Sequence, residues 1–284
     1  MKIVRKMESP QVFSPTLQEY ILGMRRKSDS HKGENGKVAV IGGSLHQHGA
    51  PIFSALAAEA SGADLVYVAL PSIHQQIARM QSLNFQVHPF SGDELSGADL
   101  RPLLEMLATV DAAVIGPGLS RTPAALKLIR ELIESAPCPL VLDASALQEW
   151  TVHAAQGPST GLRVLTPHLG ELERMGVHLQ NIGAMAKQSR LTIHVKSRVD
   201  QIAGPDGKVR KVTGGNAGLT VGGTGDALAG LIAGLIAQNM KPADACVTAS
   251  RIIKRAGTIL FHEKGFAYTA RDVIAEIPHL LSTL

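Results

Sequence analysis

Short apolar runs that end in glycine or polar turns, each followed by a helical pattern, constrain this chain more than any other feature. Residues 37–41 run into Gly42-Gly43-Ser44, an alanine-rich helical pattern covers 52–61, and 63–70 supplies the next strand. The unit recurs. A helix over 100–108 leads to a strand at 111–115 and the turn Gly116-Pro117-Gly118, and a helix over 124–135 leads to a strand at 139–142 that ends in Asp143. Strands at 163–165 and 191–195 end in Thr166-Pro167-His168-Leu169-Gly170-Glu171 and in Lys196. This alternation predicts an α/β fold, doubly wound, with a central and mostly parallel sheet flanked by helices on both faces. An aromatic share of 4% beside 28 glycines and 45% hydrophobic residues agrees with aliphatic parallel strands joined by glycine turns. Ligands of such sheets bind at the carboxyl ends of the strands, where these turns gather.

Around that frame, 1–15 is irregular, with Pro10 and Pro15, and 16–26 reads as a helix capped by Thr16. A hairpin is expected over 202–212 about Gly204-Pro205-Asp206-Gly207, and helices over 243–261 and 269–280. With no low-complexity linker and no fixed repeat, a single domain over 1–284 is expected. The net charge of +4 is scattered, so nucleic acid is not an expected partner. Cys138 and Cys246 stand far apart without a CxxC pattern and suggest neither a disulfide framework nor zinc. With no leader and no apolar run long enough for a bilayer, no membrane partner is expected and the expected location is cytoplasmic.

The chemistry is expected at 214–226, a glycine-crowded loop that enters the apolar stretch 227–238. Gly222, Gly223 and Gly225 allow close approach to the main chain, and a helix start offers N–H groups to a phosphoryl oxygen. Asp226 beside that cradle is either a cap or a base for a hydroxyl attacking a phosphate, and the glycine density favours the base. The G-x-x-x-x-G-K-[ST] loop is absent. His46 and His48 read as loop histidines. His168 and Glu171, three apart, read as a cap with its first-turn acid or as site residues. Lys196 reads as a phosphate ligand or a solvated lysine, and Asp143 as a cation ligand or a cap. Gly230 and Gly234 predict close packing of the loop's helix against the sheet.

Together His31-Lys32-Gly33, Gly42-Gly43-Ser44, Gly49-Ala50-Pro51, Gly116-Pro117-Gly118, Thr166 to Glu171 and Gly222 to Asp226 resemble, in order and spacing, the ADP- or ATP-dependent NAD(P)H-hydrate dehydratases of the ribokinase-like superfamily. The resemblance implies that NADHX or NADPHX is phosphorylated on its ring hydroxyl by ADP or ATP with Mg2+, and that loss of phosphate restores NADH or NADPH. It implies Asp226 as base and Gly223, Thr224 and Gly225 as anion hole. Ala50, Gly118, His168 and Asp226 match substrate-contacting positions. Lys196, Ser197, Arg198, Val199 and Asp200, joined by Gly225, match the adenine-nucleotide stretch, and Glu171 the acid that orients hydrated magnesium. A homo-oligomer, a tetramer, is implied as well. The chain departs from the family pattern at Gln47, Ser145, Gln148, Ser197 and Ala217. The alternatives are a kinase that releases a stable phosphorylated alcohol and a nucleotide-binding module without turnover.

Overall fold

The computed structural model describes residues 29–156 and 162–283, so the irregular 1–15 and the helix expected over 16–26 lie outside the described residues. The strands are β1 (Lys37–Ile41), β2 (Leu65–Leu70), β3 (Phe85–Pro89), β4 (Ala112–Ile115), β5 (Leu140–Leu142), β6 (Arg163–Leu165), β7 (Thr192–Val195), β8 (Asp200–Ala203) and β9 (Val209–Val212). They form one sheet in the order β3-β2-β1-β4-β5-β6-β7-β8-β9. Pairing is parallel through β7, and the expected hairpin, β8 with β9, adds two antiparallel strands at one edge. Strand order reverses between β1 and β4, which opens a crevice at their carboxyl ends.

The helices are α1 (Gly49–Ala60), α2 (Gln75–Gln81), α3 (Leu100–Leu107), α4 (Pro123–Ser135), α5 (Thr151–Ala154), α6 (Leu169–Arg174), α7 (Ile182–Ser189), α8 (Thr224–Ala237), α9 (Pro242–Lys264) and α10 (Ala270–Ser282). Alternation along β1 divides the core. Val38 and Val40 face α1, α8, α9 and α10, whereas Ala39 and Ile41 face α3, α4, α6 and α7. Helix α1 begins at Gly49, ahead of the expected 52–61, because Pro51 is tolerated in a first turn. Helix α2 and edge strand β3 were not expected. Polar Gln86 and His88 and the terminal Pro89 give β3 the composition of an edge rather than of a buried parallel strand.

The purpose of Gly230 and Gly234 differs from the expectation. They let α8 approach α1, not the sheet: a Cβ on Gly230 would lie 1.9 Å from Ser54 O, and one on Gly234 2.1 Å from Ser61 Oγ. Ser54 Oγ donates to Asp226 O at 2.8 Å across the same contact. The α1–α8 spacing therefore sets where the first turn of α8 stands.

Candidate active site

Gly223 is the N-cap of α8 at φ +98, a left-handed conformation that favours glycine. A Cβ there would lie 2.6 Å from the Phe53 ring and 2.9 Å from Ala270 Cβ, so α1 and α10 close on the loop from both sides. Thr224 Oγ1 donates to Leu219 O at 2.7 Å, which turns this side chain back into the loop and leaves the main chain to form the cradle. The Ala227 N–H donates to Gly223 O. The amides of Gly225 and Asp226 precede it, where a helix start lacks intrahelical acceptors. Asn216 braces the loop: Oδ1 accepts from Gly218 N–H and from the Tyr268 hydroxyl, and Nδ2 donates to Gly257 O at 2.6 Å.

Opposite this helix start, the ends of β5, β6 and β7 contribute charge. Asp143, 2% exposed, accepts from Lys196 Nζ at 2.6 Å and from Thr166 Oγ1 at 2.9 Å. The Lys196 amide donates to Pro167 O, and Lys196 bridges to His168 in parallel register. Lys196 Nζ is also 3.7 Å from Glu171 Oε2 and 3.5 Å from where a Cβ on Gly225 would stand. Lys196 thus joins the acidic cluster and the cradle. Burial alone would depress its pKa, but Asp143 and Glu171 hold it above the ordinary lysine value.

His168 and Glu171 form a capping box at the start of α6. The His168 N–H donates to Glu171 Oε2 at 2.9 Å, and His168 Nδ1 accepts from the Glu171 N–H at 3.2 Å. The cap is formed, and it leaves Glu171 buried beside Lys196 with the His168 ring exposed.

Asp226 is partly buried in the first turn of α8. Burial, then repulsion from Asp143 and from Glu171, push its carboxyl up to about 7, with Lys196 pulling the other way. Asp143, Glu171 and Asp226 face two cations, Lys196 and Arg174, whose guanidinium lies 3.9 Å from Glu171 Oε1, so the cluster carries at most one surplus negative charge. Glu171, whose Oε2 is taken by the His168 amide, would reach a cation through water. These donors fit a hydrated divalent ion carried on phosphates rather than a protein cage. Among the described residues no group of three or more His, Cys, Asp or Glu could hold a metal ion directly.

The remaining expected positions fall in two places. Ala50 and Gly118 meet over the β1/β4 crevice, where a Cβ on Gly118 (φ +69) would lie 3.2 Å from Ala50 Cβ and 3.0 Å from Gln47 O. Helix α1 connects them to the cradle through Phe53. Of 197–200, Arg198 is exposed, and Ser197 and Val199 are partly buried. Asp200 is 6% exposed and its carboxylate is engaged inside the protein, so any part it has in nucleotide binding runs through the loop it holds. Ser145 Oγ donates to Leu119 O at 2.6 Å, so the serine braces the loop after Gly118.

Two residues gain a place that sequence reasoning did not give them. Asp143, left between cation ligand and cap, is the direct partner of Lys196. Its position at a strand's carboxyl end was the signal. Arg174 donates to Leu147 O at 2.9 Å and to Ala144 O at 3.3 Å, holding the turn after Asp143 in which Ala144 takes φ +50. No sequence pattern marks it.

A family model described as NAD(P)H-hydrate dehydratase matches residues 38–279. The chain is 35% identical over 268 residues to the ADP-dependent (S)-NAD(P)H-hydrate dehydratase of Cenarchaeum symbiosum (strain A), covering 90% of this chain and 92% of that protein. It is 37% identical over 275 residues to the bifunctional NAD(P)H-hydrate repair enzyme of Methanocaldococcus jannaschii, covering 94% of this chain and 54% of that one. It thus spans about half the length of such bifunctional relatives. Among solved structures, the ADP/ATP-dependent NAD(P)H-hydrate dehydratase of Bacillus subtilis co-crystallised with ATP/Mg2+ superposes with a TM-score of 0.80 at 25% identity, over 94% of this chain and 96% of that one. The shared architecture is ribokinase-like. By sequence and by fold, the chain belongs to the NAD(P)H-hydrate dehydratase family.

Proposed function

We infer that this protein dehydrates NADHX or NADPHX to NADH or NADPH at the expense of ADP or ATP. The observation that carries the reading is the placement of Asp226 in the first turn of α8, where Lys196, paired with Asp143, comes within 3.5 Å of the Cβ position of Gly225 and burial raises the Asp226 carboxyl to about 7. Asp226 takes the proton of the ring hydroxyl as that oxygen attacks the terminal phosphorus of the nucleotide. Of the anion hole implied at Gly223, Thr224 and Gly225, the Thr224 N–H points to Val221 O at 3.5 Å and Gly223 shapes the turn, so the amides of Gly225 and of the next residue, Asp226, steady the charge on the transferred group, and Lys196 can turn from Asp143 to the phosphate oxygens. Mg2+ bound to the nucleotide phosphates would neutralise their charge, with Glu171 and Asp143 placed to hold its water shell. The phosphate ester then breaks at its C–O bond, expelled by the lone pair of the ring nitrogen, and loss of a proton from the neighbouring ring carbon restores the ring double bond of NADH or NADPH.

Ala50, Gly118 and His168 are the residues we assign to the hydrated dinucleotide, and 196–199 with Gly225 to the adenine nucleotide. The proposal extends to a homotetramer in the cytoplasm. Exposed Ile77, Met80 and Leu83 leave apolar surface on and beside α2 that assembly could cover. No helix among the described residues is long and apolar enough to cross a membrane.

Incubation with NADHX, Mg2+ and either nucleotide, read by nicotinamide absorbance and released phosphate, tests the reaction. One NADH per phosphate is expected. A stable phosphorylated product without NADH would make the protein a kinase, and nucleotide binding without turnover a binding module.

The electrostatics add a pH prediction. The carboxylate is the active form, so kcat should rise with pH and level off above about 7. Lys196 favours that carboxylate, so Lys196→Met should move the acid limb to higher pH and lower kcat about a hundred-fold. An acid limb left in place, read from a pH–rate profile, would remove Lys196 from the site.

A further inference from the structure

Residues 197–199 lie between β7 and β8 outside any regular element, yet their backbone is tied to the interior. Asp200 Oδ1 accepts the Ser197 N–H at 2.9 Å and lies 3.4 Å from Lys254 Nζ. Its Oδ2 accepts from Ser250 Oγ at 2.6 Å and from His194 Nε2 at 3.2 Å. Burial opposes ionisation of Asp200, but these bonds, led by that from His194, hold its carboxyl at about 2. Lys254, 7% exposed, donates in addition to Ser197 O and Arg198 O, both at 3.2 Å. One buried ammonium and one buried carboxylate thus hold an amide and two carbonyls of the loop.

The Lys254 stem has a second contact. A Cβ on Gly215 would lie 3.3 Å from Lys254 Cγ, and one on Gly214 3.8 Å from Lys254 Cβ. These glycines, at φ +71 and +110, open the loop that leads to the cradle. Both segments therefore rest on one side chain of α9.

Stability alone does not call for this arrangement, because a buried ion pair is often no better than apolar residues of equal volume. Apolar replacement here would strand the Ser197 and Arg198 carbonyls, and the loop would have to turn to satisfy them.

We propose that Lys254, with Asp200 as its buried counter-ion and Ser250 as a supporting donor, is a positioning residue for the adenine nucleotide, holding 197–199 and Gly214–Gly215 in the form that receives it. The inference rests on the reading that 196–199 and Gly225 line the nucleotide. A loop already held in its bound form binds without a further cost of ordering. Since Lys254 donates to the Ser197 and Arg198 carbonyls and to no residue of the α8 helix start, its loss acts on nucleotide affinity rather than on the hydrated dinucleotide or the chemical step.

Calorimetric titration of ADP into wild type, Lys254→Met and Ser250→Ala, beside KM for ADP, KM for NADHX and kcat, tests this. Lys254→Met should weaken ADP about ten-fold or more, with KM for NADHX and kcat at saturating ADP within about two-fold of wild type. Ser250→Ala, which keeps the ion pair, should weaken ADP about three-fold. Lys254→Arg, which keeps a buried donor, should recover part of the affinity. Unchanged ADP affinity in folded Lys254→Met overturns the inference, as does a proportional loss in every parameter. If Lys254→Met does not fold, Ser250→Ala decides: selective weakening of ADP supports the inference and unchanged affinity overturns it. A wild type that forms NADH beside an unaffected Lys254→Met sinks this inference alone, whereas a wild type that neither binds ADP nor forms NADH sinks the functional reading with it.

Discussion

Asp226→Asn should lower kcat about a thousand-fold and at the same time make the folded protein more resistant to heat at alkaline pH. The two effects have one cause. Folding moves the Asp226 carboxyl from its ordinary value to about 7, first by burial and then through Asp143 and Glu171. The folded chain therefore holds a proton that the unfolded chain releases. The stability this confers is complete below the unfolded pKa and is lost as pH rises through about 7. Above that pH the wild type carries an ionised carboxylate in a site that disfavours it, and an amide of the same shape escapes the penalty. Steady-state assays and melting curves from about pH 5 to 9 should show an inactive variant with a Tm equal to the wild type in acid and higher in alkali. A variant that loses activity and also melts lower throughout would mean that the folded site favours the ionised carboxylate at the start of α8, the reverse of what its burial implies.

Gly230→Ala should be the most damaging single methyl group in the scaffold. In an open helix this change would stabilise by about 1 kcal/mol through helix propensity. Here the new Cβ would stand 1.9 Å from a main-chain carbonyl oxygen, Ser54 O, which cannot rotate aside as a side chain can. Overpacking wins, at about 3 kcal/mol or more, and Tm should fall by roughly 6 °C or more. Because α1 carries Phe53 beneath Gly223 and Ser54 against Asp226 O, the separation of α1 from α8 should also weaken nucleotide binding. Gly234→Ala meets the Ser61 hydroxyl at 2.1 Å, which can rotate, and Ser61 Cβ at 2.8 Å, with main chain no nearer than 3.2 Å, so its loss should be smaller though not negligible. Denaturant melts of both variants check the order. Equal stabilities would contradict the account of how α1 and α8 approach.

The frame was legible because parallel strands and their turns leave local traces. β1 and β6 occupy the residues their apolar runs marked, and the hairpin turns at Gly204-Pro205-Asp206-Gly207 between β8 and β9. Edge strand β3 left no such trace, since a strand with exposed Gln86 and His88 does not read as buried. Gly230 and Gly234 announced a close approach but not its partner, because the neighbouring helix lies far away in sequence. At the candidate site, the loop and the helix start at Gly223 and Thr224 were legible from the glycines and the apolar run that follows them. The partners of Asp143 and Asp200 were not legible, because Asp143 follows β5 and Asp200 opens β8, each far along the chain from the lysine it meets. Geometry turns Asp143 toward Lys196 and the first turn of α8, and Asp200 inward toward Ser250 and Lys254.

In the proposed reaction the ring hydroxyl is phosphorylated and leaves as phosphate. Its direct test is NADHX carrying a heavy oxygen isotope in that hydroxyl, turned over with Mg2+ and ADP, with the released phosphate read by mass spectrometry. One labelled oxygen in the phosphate is expected for each NADH formed, since the substrate's oxygen bonds phosphorus before its bond to carbon breaks. NADH accompanied by unlabelled phosphate would contradict it, because the hydroxyl would then have left without ever meeting the nucleotide.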